Sequence, residues 1–390
     1  MPEKIYPLAS TTWDSLEIEA MQEVIASGHF TMGRHVREFE QAFAAYFGSK
    51  YAVMSNSGSS ANLLALAALR YSSKHDFGER DEVIVPAVSW STTYYPVTQL
   101  GFKLKFIDIN LASLNADLGL LREAINEKTA GILAVNLLGN PAELIQMRQL
   151  ADEHDIFFVE DNCESMGAKV GGKFAGTYGD IGTFSSFFSH HISTMEGGVC
   201  LTDDLELAQV MTSLRAHGWT RELPDENSVF NKTGDAFDDL FRFILPGYNL
   251  RPLELSGAIG KEQLKKLPAL IAGRRENASA FQAIFEGKDY LQIQTEHDES
   301  SWFGFAMILK GPLAGRRAEV VGRLTDLGID SRPIVAGNFT KNPVMAHLEH
   351  VQLPPLPNSD EVHTNGLFVG NHHYDLSRQL EMLEKTLDSF

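Results

Sequence analysis

The sequence predicts an α/β protein: a large lobe with a mostly parallel sheet, residues 1–250, and a smaller α/β lobe, residues 251–390. Three observations predict it. Short apolar runs alternate with stretches of helical periodicity, the pattern of βαβ units and parallel strands. After Gly247 that alternation gives way to a mixed pattern. The chain, at 390 residues, is also longer than the roughly 250–300 at which one hydrophobic core stops growing.

Taken in order, the periodicity predicts helices near 14–27 and 35–47, the second with Val36, Phe39, Phe43 and Phe47 at spacings of three and four. Tyr51–Met54, Glu82–Val85, Leu104–Ile107, Gly131–Val135 and Ile156–Val159 read as strands, because runs this short and apolar suit strands covered on both faces. Helical patterns at 60–70, 118–125 and 142–154 lie between them. A helix near 257–267 falls in the region 245–275 where the lobes should divide, and another lies near 376–388.

Composition narrows the function. Lys and Arg number 33 against 51 Asp and Glu, a formal charge of −18, which disfavours nucleic acid and anionic membranes as partners. No apolar run approaches the ~18 residues of a membrane span. Met1-Pro2-Glu3-Lys4-Ile5-Tyr6-Pro7 lacks the charged and apolar regions of a signal peptide, so a cytoplasmic protein is expected. Cys163 and Cys200 are too few for a disulfide framework, a Cys-based zinc site or an iron–sulfur cluster, and no metal site is expected. Any anionic ligand has to be held by local groups against the global field.

Three segments carry chemistry. Ser55-Asn56-Ser57-Gly58-Ser59-Ser60-Ala61-Asn62 follows a strand and opens a helix, placing free N–H groups and small hydroxyls where phosphate binds. Taken alone it reads first as a serine cap on a short turn. Val159-Glu160-Asp161-Asn162-Cys163-Glu164-Ser165 puts a carboxylate at the end of an apolar strand, where open α/β sheets hold their ligands. Asp161 suits a protonated ring nitrogen, a metal or a helix cap. Gly182–Gly198 runs from an aromatic strand into a polar turn with adjacent histidines, His190 and His191, then Glu196-Gly197-Gly198. On a strand-like turn the two histidines should point apart, leaving His191 structural.

In this order and spacing the three segments resemble the fold-type-I pyridoxal-phosphate enzymes of the sugar aminotransferase/dehydratase family, from about Thr12 to the C-terminus. The resemblance implies an aspartate aminotransferase-like fold and a cofactor that is pyridoxal 5′-phosphate or its pyridoxamine form. It implies Gly58, Ser59 and Ser185 as the phosphate cradle, and Asp161 as partner of the pyridinium nitrogen. Trp90, within Pro86-Ala87-Val88-Ser89-Trp90-Ser91-Thr92, matches the aromatic that stacks on the ring. Asn249, within Leu245-Pro246-Gly247-Tyr248-Asn249-Leu250-Arg251, matches a residue that reaches the neighbouring subunit's phosphate, so a homodimer is implied. Glu164 stands where relatives usually carry Gln beside the ring hydroxyl.

One departure decides the branch. Family members hold the cofactor covalently through a lysine, and aligning Glu196-Gly197-Gly198 puts His190 in its place. No lysine lies between Lys173 and Lys232. Imidazole cannot make that bond, so the cofactor is held non-covalently and His190 becomes the catalytic acid/base, helped by an ordinary pKa near 6.5. Within the family this histidine marks the sugar 3-dehydratases. Phe30-Thr31-Met32-Gly33, Ser89–Tyr95, Leu137–Pro141, His217–Arg221, Ser300–Phe305 and Asn365–His372 also look particular to that group.

The resemblance therefore implies glutamate as nitrogen source and C3 deoxygenation of a keto sugar such as GDP-4-keto-6-deoxymannose, with ammonia released, in lipopolysaccharide sugar biosynthesis. The competing reading is an aminotransferase that keeps the nitrogen in its product, for example an 8-amino-3,8-dideoxy-octulosonate. A related histidine-bearing group needs an iron–sulfur cluster, which two cysteines do not supply. His217, Arg221, Arg251 and Arg332 are candidates to grip sugar or phosphate, and equally surface or structural residues. Trp302 and Phe303 read first as core of the small lobe, and the acidic segment 222–239 as a solvated loop.

Overall fold

The computed structural model describes residues 4–390; Met1, Pro2 and Glu3, part of the segment read against a signal peptide, lie outside the described residues. In chain order the elements are α1 (Ser15–Ser27), α2 (Arg34–Phe47), β1 (Tyr51–Ser55), α3 (Gly58–Tyr71), β2 (Glu82–Pro86), α4 (Ser91–Gln99) and β3 (Lys103–Ile107). There follow α5 (Leu118–Ala124), β4 (Thr129–Val135), α6 (Leu144–His154), β5 (Phe157–Asp161), a hairpin of β6 (Lys169–Val170) and β7 (Lys173–Phe174), β8 (Ile181–Ser185) and β9 (Gly198–Thr202). The rest comprises α7 (Leu205–Arg215), α8 (Ala236–Asp239), α9 (Glu254–Phe285), β10 (Leu291–Ile293), β11 (Gly304–Leu309), α10 (Arg317–Asp326), β12 (Ser331–Arg332), α11 (Pro357–Asn365), β13 (Gly366–Gly370) and α12 (Ser377–Leu387).

The main sheet has seven strands in the order β1-β9-β8-β5-β4-β2-β3. All its pairings are parallel except those of β9, which runs against both β1 and β8. Strands β2, β4, β5, β8 and β9 are buried along their whole length, as sheets covered by helices on both faces require. A second, antiparallel sheet, β10-β11-β13-β12, lies in the C-terminal third. No helix among the described residues is long and apolar enough to cross a membrane.

Helix α2 shows how the sequence builds the scaffold. Its i, i+4 stripe of Phe39, Phe43 and Phe47 is buried, and Phe43 and Phe47 pack on Phe184 of β8 with ring centroids 5.3 and 5.1 Å away. Phe184 immediately precedes Ser185, so this packing fixes the end of β8. The N-cap of α2 is Gly33, which has no side chain to satisfy the first amides. Glu254, at the start of α9, supplies the cap from afar: its carboxylate accepts from the backbone N–H of Gly33 at 2.6 Å and of His35 at 2.6 Å. A negative charge there also suits the helix dipole.

The helix expected at 257–267 is the early part of α9, which continues to Phe285 through Pro268. Proline removes one amide donor and usually breaks a helix. Here burial of Leu264 and Leu267 before it, and of Leu270, Ile271, Phe281 and Phe285 after it, holds the helix together. Within the stretch 245–275 the chain is thus a continuous helix from Glu254 onward rather than a linker. The aromatic strand ends at Ser185, and residues 186–197 form a turn closed by the Ser186 N–H donating to Gly197 O at 2.9 Å. Replacing Glu254 by alanine should lower the stability of the folded protein by about 2–4 kcal/mol, read as a shift of the denaturant midpoint. Unchanged stability would show that α2 does not depend on this remote cap.

Candidate active site

The candidate residues converge at the carboxyl edge of the parallel strands. Strand β5 ends on Asp161, flanked in register by Val135 of β4 and Thr183 of β8. Asp161 is 5% exposed, and three donors satisfy it. Asn62 Nδ2 and Thr93 Oγ1 donate to Oδ2 at 2.8 Å each, and the Cys163 N–H donates to Oδ1 at 3.1 Å. Thr183 Oγ1 donates to Asn62 Oδ1, which fixes the amide's orientation. Asn62 lies in the second turn of α3 and Thr93 in the first turn of α4, so one carboxylate ties two helices near their N-termini to the sheet.

Helix α3 starts with Ser57 as cap, its Oγ accepting from the Ser60 N–H at 3.1 Å. The Gly58 and Ser59 amides precede any intrahelical acceptor and stay available. A Cβ at Gly58 would fall 2.5 Å from Ser185 Cβ and 2.9 Å from Cys163 Sγ, so glycine lets the helix begin against the end of β8. Ser59 Oγ donates to Thr92 Oγ1 at 3.0 Å, joining the first turns of α3 and α4. Amides at a helix N-terminus, two serines and a buried carboxylate beside them suit a phosphorylated pyridine: the dipole end attracts phosphate, and Asp161 answers a protonated ring nitrogen. Trp90 is the residue before α4, 58% exposed on the open side of this cradle.

Glu164 accepts from the Leu138 N–H at 3.0 Å. Leu138 has φ 53°, a left-handed conformation that costs a leucine energy and turns this amide toward the site. Burial, with the Asp161 charge adding to it, pushes the Glu164 carboxyl up to about 7. A protonated Glu164 has a donor, as the glutamine of relatives would. The Leu138 carbonyl accepts from the Phe303 N–H at 2.9 Å, and the Phe303 ring packs on His190 at 5.2 Å. Contacts therefore run from the carboxylate side of the site to the histidine.

His190 sits on the turn after β8 rather than on a strand, with Phe187 edge-on at 5.9 Å. Burial holds its pKa down at about 4, and the Arg274 guanidinium adds to that. Nδ1 is buried without a hydrogen-bond partner, and no carboxylate pairs with the ring among the described residues. Both features favour the neutral imidazole. His191 is fully buried, its Nε2 3.0 Å from Ser301 O, and it packs on the other part of the Phe303 ring at 5.8 Å.

The remaining candidates stand apart from this cluster. Asn249 is exposed and accepts from Arg251 Nε at 3.1 Å, while the adjacent Leu250 O accepts from the Asn56 N–H beside the cradle. His217 is exposed with φ 66°, Arg221 lies over the Trp219 ring at 5.2 Å, and Arg332 is exposed on β12. Trp302 is core, whereas Phe303, read first as core, touches His190. Asn62, Thr93 and Thr183 were not singled out by sequence reasoning. A polar Asn62 among the alanines and leucines of a buried helix was the available signal.

The model of the DegT/DnrJ/EryC1/StrS aminotransferase family matches residues 12–379. A GDP-4-keto-6-deoxy-D-mannose 3-dehydratase of Yersinia pseudotuberculosis is 54% identical over 380 residues, covering 97% of each chain. That of Escherichia coli O55:H7 is 51% identical, over 98% of this chain and 99% of its own. A crystal structure of GDP-4-keto-6-deoxymannose-3-dehydratase with a trapped PLP–glutamate adduct superposes with a TM-score of 0.95 at 51% identity, covering 98% of this chain and all of that one.

Because Glu164 binds its proton more tightly in the folded protein than at the ordinary 4.5, its contribution to stability is present at low pH and lost as pH rises through about 7. Glu164→Gln should flatten this part of the profile, with the gain over wild type larger at about pH 8 than at about pH 5 in denaturant titrations. An equal effect at both would refute the raised carboxyl.

Proposed function

The chain belongs to the DegT/DnrJ/EryC1/StrS aminotransferase family, and on that premise we propose that it removes the C3 hydroxyl of GDP-4-keto-6-deoxymannose, with glutamate as nitrogen source and ammonia released. The product is a deoxysugar for lipopolysaccharide biosynthesis. The observation that carries the reading is His190 standing where the family's lysine would be, in a segment free of lysine from Lys173 to Lys232. Pyridoxal phosphate, when bound, supplies an electron sink and, in its amine form, the nitrogen that joins the keto sugar.

The chain's residues do the rest. Gly58, Ser59 and Ser185 would hold the phosphate, Asp161 would keep the ring nitrogen protonated, Trp90 would cover the ring and Glu164 would serve its hydroxyl. His190, neutral at rest, would accept on its ring the proton lost from the carbon that bears the cofactor's nitrogen. Its depressed pKa then makes the imidazolium a ready donor to the departing C3 oxygen. A lysine left free there would compete as a nucleophile.

We further place the enzyme in the cytoplasm as a homodimer in which Asn249 reaches the other subunit's phosphate. His217, Arg221, Arg251 and Arg332 remain the candidates for sugar and diphosphate. None of the four has a carboxylate within ion-pair distance among the described residues, which leaves them available. We propose residues 1–250 and 251–390 as the two lobes, with α9 at the start of the second and its Glu254 bound to α2 of the first.

Two measurements test this. Incubation with ¹⁵N-glutamate and the GDP-keto sugar should yield labelled free ammonia; label retained in the sugar would establish the aminotransferase reading instead. His190→Asn should abolish turnover while cofactor still binds, seen in its absorbance. Undiminished turnover would remove His190 from the mechanism.

A further inference from the structure

His190 lacks what ordinarily aims a catalytic imidazole. In an acid/base histidine one ring nitrogen works while a carboxylate or carbonyl holds the other and so fixes the ring. Here Nδ1 is buried with no hydrogen-bond partner among the described residues. Phe187 and Phe303 pack on the ring at 5.9 and 5.2 Å, contacts that fill space without the direction of a hydrogen bond. The residue stands in a turn, 186–197, outside helix and strand, on which Phe188 and Met195 are exposed. The ring's position therefore has to come through the backbone of that turn.

This backbone is gripped at Ser193, three residues on. The Ser193 N–H donates to Gln263 Oε1 at 2.9 Å, and its carbonyl accepts from Trp13 Nε1 at 2.9 Å. Gln263 belongs to α9 and is fully buried. A side-chain amide has two donors and two acceptor lone pairs, and Gln263 uses them all. Its Oε1 also accepts from Thr12 Oγ1 at 2.6 Å, while Nε2 donates to Thr12 O at 3.0 Å and to Glu17 Oε1 at 2.7 Å. Glu17 is fully buried and is held in turn by Lys266 Nζ at 2.6 Å, about one helical turn beyond Gln263. A carboxylate only accepts, so Glu17 fixes the amide with Nε2 toward α1 and Oε1 toward Ser193.

We propose that Gln263 is a positioning residue for the reaction: through Ser193 it sets where the His190 ring stands, and Trp13 completes the grip. The inference rests on the reading that His190 moves the protons, and it says what aims a histidine that no carboxylate orients. Misplacing a reacting group by about 1 Å costs on the order of 100-fold in rate, even when the change lies away from the chemistry.

The test follows amination of the holoenzyme's cofactor by glutamate in a single turnover, with protium or deuterium at glutamate C2, so that no sugar or nucleotide takes part. Gln263→Met, similar in length, should slow this step about 10- to 100-fold and enlarge the isotope effect, with half-saturating glutamate and cofactor affinity near wild type. In the cofactor-free protein the amides of 186–197 should exchange faster in the same variant. Lys266→Met, which loosens Glu17 and leaves Ser193 untouched, should lower stability and keep the rate. Where Gln263→Met does not fold, Trp13→Phe decides: it takes one donor from Ser193, keeps an aromatic ring, and should show the same slowing with the same larger isotope effect. A folded Gln263→Met at wild-type rate, Lys266→Met slowed as much, or an unslowed Trp13→Phe in that second case overturns this inference alone. Undiminished turnover of His190→Asn overturns the reading beneath it.

Discussion

A single buried carboxylate organises the site. Asp161 ends a central strand with almost no exposure, and a charge there is tolerable only because Asn62, Thr93 and the Cys163 amide meet it. Those donors come from the start of α3, the start of α4 and the turn after β5. Satisfying the carboxylate therefore fixes three segments at once, and two of them bring helix N-termini to the same edge. The meeting of Gly58 and Ser59 with Ser185, the proposed phosphate cradle, is a consequence of that placement. So is the approach of Trp90, one residue before α4.

The electrostatics divide along the same line. A global charge of −18 repels phosphate and carboxylate at long range, yet screening confines that repulsion to about 8–10 Å at ordinary ionic strength. Within that distance the amides of α3 and the hydroxyls of Ser59 and Ser185 set the local field. On the other side of the site the histidine is kept neutral by burial, with the Arg274 guanidinium in support. Arg274 itself is buried and spends its Nη1 on the carbonyls of Phe303 and Asn371, so it both anchors Phe303 and opposes a second positive charge nearby. Burial thus disfavours charge on both His190 and Glu164, pushing the one pKa down and the other up.

Much of this was legible in the chain. The strand ending in Asp161, the Ser-Gly-Ser turn opening a helix and the lysine-free histidine segment are local patterns, and the structure places them at one sheet edge. Pattern reasoning failed where distance in sequence was large or where packing overrode propensity. Glu254 caps α2 from 219 residues away at His35, Pro268 sits inside α9, and the histidine pair lies on a turn whose course is set by contacts with residues 301–303.

The sequence by itself determined the fold class, the first strands and helices of the main sheet, and the groups proposed to do chemistry. It did so because apolar periodicity, capping turns and the absence of a lysine are properties of neighbouring residues. Only the tertiary structure decided the protonation of those groups and who holds them. Asn62 and Thr93 reach Asp161 across 99 and 68 residues, and Phe303 buries His190 from another part of the chain. Desolvation and hydrogen-bond closure depend on what packing brings together, so a histidine of ordinary pKa on paper becomes, in the fold, a neutral base held at about 4.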